Sequence, residues 1–389
     1  MFYRFFKKNI INFFLLIMEK RYKYFKSKNS IIIKGKTSNI LNYLKRIFYF
    51  FQRPQKSYDL NLFHEKNVLL LPPYGLPITR RGKIVLAPAH TGARKIFIRT
   101  LRYLGLKNFL KYYVSFFFKV NYENTEKNIL FLIPRHGYSY DSPNYCHWLT
   151  ENLPQLRILE ILDSSTKVIL NEKLKKFQIE TLSSLEAIIP KKRILNFKMK
   201  PILVENLYFG SIEDKVPNHL SIKNIQNSDP YSRVWLRNTI LEGLNISLEN
   251  KESSNERLFI VRDPKERRQI LNFRNLIPLL EKYKFELYQP GVNGFKNDIL
   301  KFNNAQIVMG LNGAGLANVM FMKSGHLIEL IPKFKSHDFW FRTLSQDFGD
   351  VNYHRIELDH TSEYGNEDLK IDIDNLELKI NSLFENLFN

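Results

Sequence analysis

The sequence predicts an α/β protein of two Rossmann-like domains, with parallel sheets that face each other across a cleft. Three observations predict this fold class. Short apolar runs alternate with helical patterns, this alternation recurs in two separate stretches, and 389 residues exceed the usual size of one domain. In such proteins, ligands bind beyond the carboxyl ends of the strands.

Composition and patterning divide the chain into four segments. We predict a basic N-terminal arm over 1–65, one Rossmann-like domain over 66–231, a second over 232–355 and a helical tail over 356–389. No linker rich in glycine or serine separates them, so the boundaries rest on the change in pattern alone.

Six apolar runs predict the strands of the first domain. They are residues 68–71, 83–88, 128–134, 167–170, 193–197 and 203–209. Pro72 and Pro73 end the first run, and the wholly apolar third run is typical of a strand that is covered on both faces. A helical pattern over 144–162 connects the third and fourth runs.

The second domain shows the alternation more clearly. Its predicted strands are 258–261, 285–288, 305–309 and 327–332, and its predicted helices are 269–283 and 296–303. Strands and helices in this order indicate a parallel sheet with right-handed crossovers. A further helix is predicted over 375–387, in the tail.

The basic arm carries about half of the formal net charge of +21, because residues 1–50 contain twelve basic side chains and one acidic one. Such a segment binds polyanions. The apolar run 10–18 is shorter than the ~20 residues that span a bilayer, and we expect it to lie as a helix in an anionic membrane surface. Helical spacing continues over 40–51, and a solvated basic tail is the alternative for the whole arm.

Cys146 is the only cysteine, which excludes an intramolecular disulfide and fits a reducing compartment. We expect it to be a small buried side chain.

Three glycines, Gly310, Gly313 and Gly315, lie between a predicted strand and the helix that follows. Glycine lets the backbone turn tightly and lets a phosphate approach free N–H groups at a helix N-terminus. The spacing differs from both the dinucleotide fingerprint and the P-loop. On these residues alone the turn also fits a packing role.

Charged side chains accompany this turn. Arg262 follows the strand 258–261, with Arg267 or Arg268 as a second cation, and a guanidinium group suits a diphosphate. Glu329 lies in the next strand, where a carboxylate can accept hydrogen bonds from a ribose. Solvated arginines and an exposed acid are the alternatives.

A second constellation is His147 and Glu151, which lie four residues apart and therefore on one face of the helix predicted over 144–162. Either one is a candidate general base for an acceptor hydroxyl group. The alternative is a hydrogen bond that only holds the helix start.

We expect no metal site. The histidines lack the spacing of zinc ligands. Asp372 and Asp374 match a D-x-D pattern that chelates divalent cations in some enzymes, but they precede the last predicted helix, far from the glycine turn. A helix cap is the expected role.

Three stretches together resemble glycosyltransferase family 61. They are N-Y-x-H-W-L-T-E-N-L-P at 144–154, R-D-x-x-x-R-R-x-I-L-N at 262–272 and the stretch 310–329, which begins G-x-N-G-A-G-L-A-N. The resemblance covers about residues 120–335. It implies a GT-B fold, a UDP-sugar donor, inversion at the anomeric carbon and no required metal or other cofactor.

The resemblance also implies roles for the candidate residues. Arg262 and either Arg267 or Arg268 would lie near the diphosphate, and Asn312, Gly313, Ala314, Gly315 and Leu316 around the nucleotide. Glu329 would lie at the ribose. His147 and Glu151 would lie on the acceptor side, in domain 66–231, and Glu151 is the favoured base. The family usually has histidine where Asn312 stands, and asparagine carries no positive charge near pH 7.

We therefore predict a glycosyltransferase that uses a glycan or lipid-linked acceptor, for example in surface polysaccharide synthesis, at the cytoplasmic face of a membrane. Two other classes remain: an NAD-dependent oxidoreductase and a basic nucleic-acid-binding protein. The glycine spacing and the arginine-rich loop argue against the first, and the lack of a recognised nucleic-acid motif argues against the second.

Overall fold

A computed structural model describes residues 19–21, 31–33, 60–80, 84–86, 93–118, 124–132, 143–212, 230–247, 255–332, 340–359 and 368–388. The chain divides into two compact units. Unit 1 comprises Met1–Val216 and Asn227–Leu236, and unit 2 comprises Pro217–Gln226 and Arg237–Asn389. The apolar run 10–18 and the helical pattern over 40–51 lie outside the described residues, so their predictions stay predictions.

The described residues of unit 1 form a mixed sheet of nine strands. These are β1 (Glu19–Arg21), β2 (Ile31–Ile33), β3 (Leu60–Leu71), β4 (Leu76–Thr79), β5 (Ile84–Leu86), β6 (Thr125–Phe131), β7 (Lys167–Asn171), β8 (Ile194–Phe197) and β9 (Ile202–Ile212). Their spatial order is β1-β5-β4-β3-β9-β6-β7-β8, and β2 pairs with β3. Strands β9, β6, β7 and β8 run parallel, as predicted.

Apart from the parallel pair of β1 and β5, the other half of this sheet is antiparallel, which differs from the prediction. The run 68–71 is the end of the longer strand β3, which pairs antiparallel with β4 and β9. Pro72 and Pro73 begin a turn that closes at Gly75, where φ is +61°. This turn reverses the chain, so β4 returns alongside β3 instead of crossing over through a helix.

Unit 1 also contains helical segments, of which Tyr145–Asn152 carries candidate site residues. They are α1 (Ala93–Phe117), α2 (Tyr145–His147), a π-helical turn (Trp148–Asn152), a 3₁₀ helix (Leu153–Glu160), α3 (Lys176–Ser183) and a 3₁₀ turn (Lys191–Arg193). The helix predicted over 144–162 is therefore present but irregular. The side chain of Asn144 accepts a hydrogen bond from the His147 amide at 3.1 Å and caps its start. Pro154 lacks an amide hydrogen and cannot continue a regular ladder. Cys146 is buried, as predicted.

The described residues of unit 2 form a five-stranded parallel sheet. Its strands are β10 (Glu256–Ile260), β11 (Phe285–Tyr288), β12 (Ala305–Leu311), β13 (Gly325–Pro332) and β14 (Val351–Leu358), in the order β11-β10-β12-β13-β14. This is the doubly wound order 2-1-3-4-5, whose connections reverse direction between β10 and β12. The four predicted strands are confirmed, and β14 is an additional one.

Helical segments lie before, between and after these strands, and the first of them begins in unit 1. They are α4 (Pro230–Gly243), α5 (Phe273–Lys282), α6 (Phe295–Asn304), a 3₁₀ helix (Ala314–Phe321), α7 (Trp340–Gln346) and α8 (Ile373–Phe388). The helix predicted over 269–283 begins later, because Gln269 and Ile270 pair with the segment before α8 instead: the Gln269 amide donates to Asp368, and Ile270 forms a bridge with Leu369.

The C-terminal helix α8 packs on the core of unit 2. The ring of Phe384 lies 5.1 Å from that of Tyr283 and 6.3 Å from that of Phe285. The predicted domain boundary at residue 355 falls inside β14. Among the helices that the structure describes, none combines the length and apolar character that crossing a bilayer requires.

Candidate functional site

The site in unit 2 lies where two loops leave the sheet side by side. Arg262 follows β10, and Asn312 follows β12, its neighbour in the sheet. The connections of a doubly wound sheet diverge between these two strands, and proteins of this fold bind ligands at that point, beyond the carboxyl ends of the strands. Residues 50 positions apart in sequence meet there: Nη2 of Arg262 donates to the carbonyl oxygen of Asn312 at 2.5 Å.

Arg268 converges on the same carbonyl. Its Nη1 donates to the backbone oxygen of Asn312 at 2.7 Å and to its side-chain oxygen at 3.1 Å. The backbone of Arg268 has a φ of +65°, which is uncommon for a residue with a side chain. This conformation turns Arg268 toward the glycine turn, while Arg267 is exposed. Of the two alternatives, the structure therefore brings Arg268, and not the Arg267 side chain, to Arg262.

The glycines of this segment allow other groups to approach the backbone closely. Gly313 does not adopt a left-handed backbone conformation. Gly313 has φ −179° and ψ 169°, an extended conformation that any residue adopts. A β-carbon on Gly313, however, would lie 1.8 Å from Nη2 of Arg262. Likewise, a β-carbon on Gly315 would lie 3.1 Å from Cγ2 of Ile260. The segment is therefore extended at Gly313 and not the expected tight turn. It has no space for a side chain there, because the guanidinium group of Arg262 lies across it.

The backbone amides after this segment begin a 3₁₀ helix. Gly313 is its N-cap, and within the described structure no side chain caps that end. Gly313, Ala314 and Gly315 are partly exposed. Leu316 is fully buried and its Cδ2 lies against Gly310, so its side chain packs in the core. The N–H groups at a helix start carry partial positive charge, which adds to that of the arginines.

The two arginines form a concentrated positive charge. Burial, with a smaller contribution from the positive charge of Arg268, lowers the pKa of Arg262 to about 10, although the charge of Glu266 acts in the opposite direction. Glu266 is exposed and lies 3.8 Å from Nη1 of Arg262, so solvent screens much of its charge. Nε of Arg262 is buried and has no hydrogen-bond partner among the described residues. An arginine in this state gains free energy from an anion.

Behind the arginines, Asn312 connects to a buried acid. Its Nδ2 donates to Oε1 of Glu329 at 2.6 Å, and Oε2 of Glu329 accepts from the hydroxyl group of Tyr353 at 2.5 Å. Glu329 is 1% exposed. Burial, together with the charge and hydrogen bond of Glu329, raises the pKa of Tyr353. Glu329, predicted at a ribose, thus has both carboxylate oxygens in contacts inside unit 2.

The second constellation lies in unit 1. Nδ1 of His147 and Oε2 of Glu151 are 2.8 Å apart. The His147 side chain is 31% exposed and that of Glu151 is 4% exposed, so the carboxylate lies behind the ring. The π-helical turn that contains Glu151 is a rare conformation that is often found at functional sites.

Comparison with known families identifies the family of this central part of the chain. Residues 145–328, a little under half of the chain, match the model of the family described as Glycosyltransferase 61. These residues form a glycosyltransferase family 61 domain. The protein is therefore a glycosyltransferase, and the family resemblance inferred from the three sequence stretches is confirmed. A comparison with curated proteins gives no match.

The family 61 domain contains His147, Glu151, the two arginines and the glycine segment, but not Glu329. It begins at Tyr145, two residues before His147, and ends one residue before Glu329. Tyr353 lies outside the matched residues, in a strand that was not predicted, and no motif marks it among the 20 tyrosines of the chain. A pairing with Glu329 across β13 and β14 was therefore not visible in the sequence.

The D-x-D pattern serves as a helix cap in this glycosyltransferase. Oδ1 of Asp372 accepts from the amide of Asn375 at 3.1 Å, at the start of α8. Within the described part of the chain, no three His, Cys, Asp or Glu side chains are grouped to hold a metal ion.

Proposed function

We propose that this glycosyltransferase transfers a sugar from a UDP-sugar to a glycan or lipid-linked acceptor, with inversion and without a required metal. One observation carries the proposal: Arg262 and Arg268 converge on the uncapped start of the 3₁₀ helix Ala314–Phe321, at the edge where the strand order reverses. A diphosphate is the part of the donor that fits this charge.

In the free protein the two guanidinium groups donate to a neutral carbonyl, that of Asn312. A phosphate oxygen is a stronger acceptor, because hydrogen bonds between ionised groups are roughly twice as strong as neutral ones. Nε of Arg262, which has no hydrogen-bond partner among the described residues, offers a further donor. A diphosphate that accepts from these guanidinium groups, while the carbonyl of Asn312 keeps them in place, would therefore be bound favourably.

The same groups support catalysis. As the bond between the anomeric carbon and the phosphate oxygen breaks, the electron pair leaves with UDP and negative charge develops on the diphosphate. Two guanidinium groups and the amides near Gly313 stabilise that charge before any solvent has to reorganise. This is the work that a divalent cation does in metal-dependent enzymes.

For the acceptor side, we propose that His147 and Glu151 act together. His147 has the more exposed side chain, so its ring takes the proton of the acceptor hydroxyl group while the acceptor oxygen bonds to the anomeric carbon. Glu151 accepts the hydrogen bond from Nδ1 and stabilises the imidazolium ion that forms. This assignment makes His147 the base and gives Glu151, the base favoured from the sequence, the orienting role.

We also propose a GT-B fold and a location at the cytoplasmic face of a membrane. The charge of residues 1–50 supports binding to anionic lipid, and a membrane acceptor in surface polysaccharide synthesis fits that location.

A panel of UDP-sugars, tested for hydrolysis and transfer with EDTA present, tests the proposal. We expect at least one donor to be consumed with EDTA, and UDP, but not NAD, to raise the thermal unfolding midpoint. Arg262→Ala should weaken UDP binding strongly, whereas Arg274→Ala, which removes an exposed arginine of α5, should not. Protection by NAD alone, or activity that EDTA abolishes, would contradict the proposal.

A further inference from the structure

Asn312 is the centre of a hydrogen-bond network that uses all its polar groups. Its amide donates to the carbonyl oxygen of Leu330 at 2.9 Å, and its own carbonyl accepts from Arg262 and Arg268. Its side-chain oxygen accepts from Arg268, and its side-chain nitrogen donates to Glu329. The position of the carbonyl that holds both arginines is thus fixed from the opposite side.

The chemistry of the partners allows only one orientation of the Asn312 amide. An ionised carboxylate only accepts hydrogen bonds and a guanidinium group only donates them. The NH₂ group must therefore face Glu329 and the oxygen must face Arg268. Rotation of the amide by 180° would place two donors face to face at Arg268 and two acceptors face to face at Glu329.

Tyr353 completes the network. Its hydroxyl group donates to the second oxygen of Glu329 at 2.5 Å, which leaves the first oxygen for Asn312. Glu329 is held on β13 and Tyr353 on β14, which pair in parallel. Hydrogen bonds therefore connect two paired strands to the loop after β12. They lead from Tyr353 through Glu329 and Asn312 to the two arginines.

We propose that Glu329 and Tyr353 are positioning residues, which hold the Asn312 carbonyl and amide so that Arg262 and Arg268 converge on the donor diphosphate. This inference rests on the proposed function, because the diphosphate is its ligand. It replaces the expected ribose contact of Glu329: a carboxylate that is 1% exposed and bonded to Asn312 and Tyr353 acts through Asn312.

Exchanging donor and acceptor between the two side chains tests the proposal. In Glu329→Gln, the new amide can keep the bond to Tyr353 through its oxygen, but its NH₂ group then faces the NH₂ group of Asn312. In Asn312→Asp, two carboxylates face each other. In the double variant, the amide introduced at position 329 would donate to the carboxylate introduced at position 312, and that carboxylate would still accept from Arg268. Only the double variant satisfies every partner.

We expect each single variant to weaken UDP binding and raise the KM for the donor by about tenfold or more, the effect of one lost hydrogen bond to a charged group. The KM for the acceptor should not change. The double variant should recover most of the loss, and Tyr353→Phe should cause a smaller loss. Glu357→Gln, in an exposed acid of the same strand as Tyr353, is the control and should bind UDP like the wild type.

A double-variant cycle in urea unfolding separates two failures. If the cycle shows coupling between positions 312 and 329 but the wild type binds no UDP, the proposed function fails while the contact stands. If the wild type binds UDP and the double variant is no better than the worse single variant, the positioning role is refuted. UDP binding that is normal in both single variants would refute it as well.

Discussion

The substitution Gly313→Ala tests the site with the smallest possible change. The added β-carbon would lie 1.8 Å from Nη2 and 2.6 Å from Cζ of Arg262. Since such contacts do not occur, the guanidinium group has to retreat by about 1 Å or more. It would then leave the hydrogen bond of 2.5 Å to Asn312 and the place beside the helix amides where we propose the diphosphate binds.

The expected loss of UDP affinity is that of one hydrogen bond between Arg262 and the diphosphate. A hydrogen bond to a charged group contributes about 1.5–3 kcal/mol, so the dissociation constant for UDP should rise by roughly tenfold to hundredfold. The free energy of unfolding should fall by less than this, because the loss of the bond between Arg262 and Asn312 is partly offset. The backbone at Gly313 is extended, which alanine adopts without strain, and alanine lowers the entropy of the unfolded chain by an amount worth about 0.4–1 kcal/mol.

Calorimetric titration with UDP and a thermal unfolding curve measure both quantities. The decisive comparison is the double variant with Arg262→Ala. If alanine at position 313 acts by displacing Arg262, it should cause no further loss of affinity once Arg262 is absent. If Gly313→Ala lowered the affinity for UDP by the same factor with and without Arg262, the reasoning would be refuted. A Gly313→Ala protein that binds UDP like the wild type would refute it as well.

Three other predictions concern separate parts of the chain. Glu151→Gln should leave the dissociation constant for UDP unchanged and lower kcat by about 10²–10⁴-fold, and His147→Gln should do the same; near-normal turnover in single-turnover assays would exclude the dyad. His326 and His354 have ring nitrogens 3.0 Å apart, and burial lowers the pKa of both, with the charge of His326 a further cause for His354. Because the unfolded chain therefore binds more protons than the folded one, the free energy of unfolding is highest above pH 6.5 and falls as the pH drops below it. Replacing both histidines by glutamine should make the free energy of unfolding, measured in urea between pH 7 and 5, depend less on pH. An unchanged pH dependence would contradict this. Deletion of residues 1–18, which leaves β1 and β2 in place, should weaken binding to anionic liposomes, and unchanged binding in a flotation assay would remove the proposed membrane contact.

The sheet of unit 2 could be predicted from the sequence because each of its first four strands is a short apolar run between helical patterns. The sheet of unit 1 could be predicted only in part. A run such as 68–71 has the same composition whether its neighbour runs parallel or antiparallel. The deciding feature is the turn from Pro72 to Gly75, which reverses the chain, whereas the two prolines by themselves predict only the end of a strand.

The candidate site could be predicted to the level of its loops but not of its contacts. Arg262 and Asn312 were expected near one another, since both follow strands of one parallel sheet. The choice between Arg267 and Arg268 depends on a φ of +65° at Arg268, which no local pattern signals. The burial of Glu329 depends on β14, a strand that was not predicted.

The network around Asn312 also bears on the histidine that the family usually has at this position. Glu329 would accept a hydrogen bond from an imidazole ring and would stabilise its charged form, which would add a cation near the diphosphate. Asparagine is neutral, so in this chain Glu329 has no such cation to stabilise and instead fixes an amide between itself and Arg268. The positive charge for the leaving group then has to come from Arg262, Arg268 and the helix amides. The orientation of the Asn312 amide, which Glu329 and Tyr353 fix, should therefore matter to donor binding. Substitutions in this network should weaken donor binding more than they lower the free energy of unfolding.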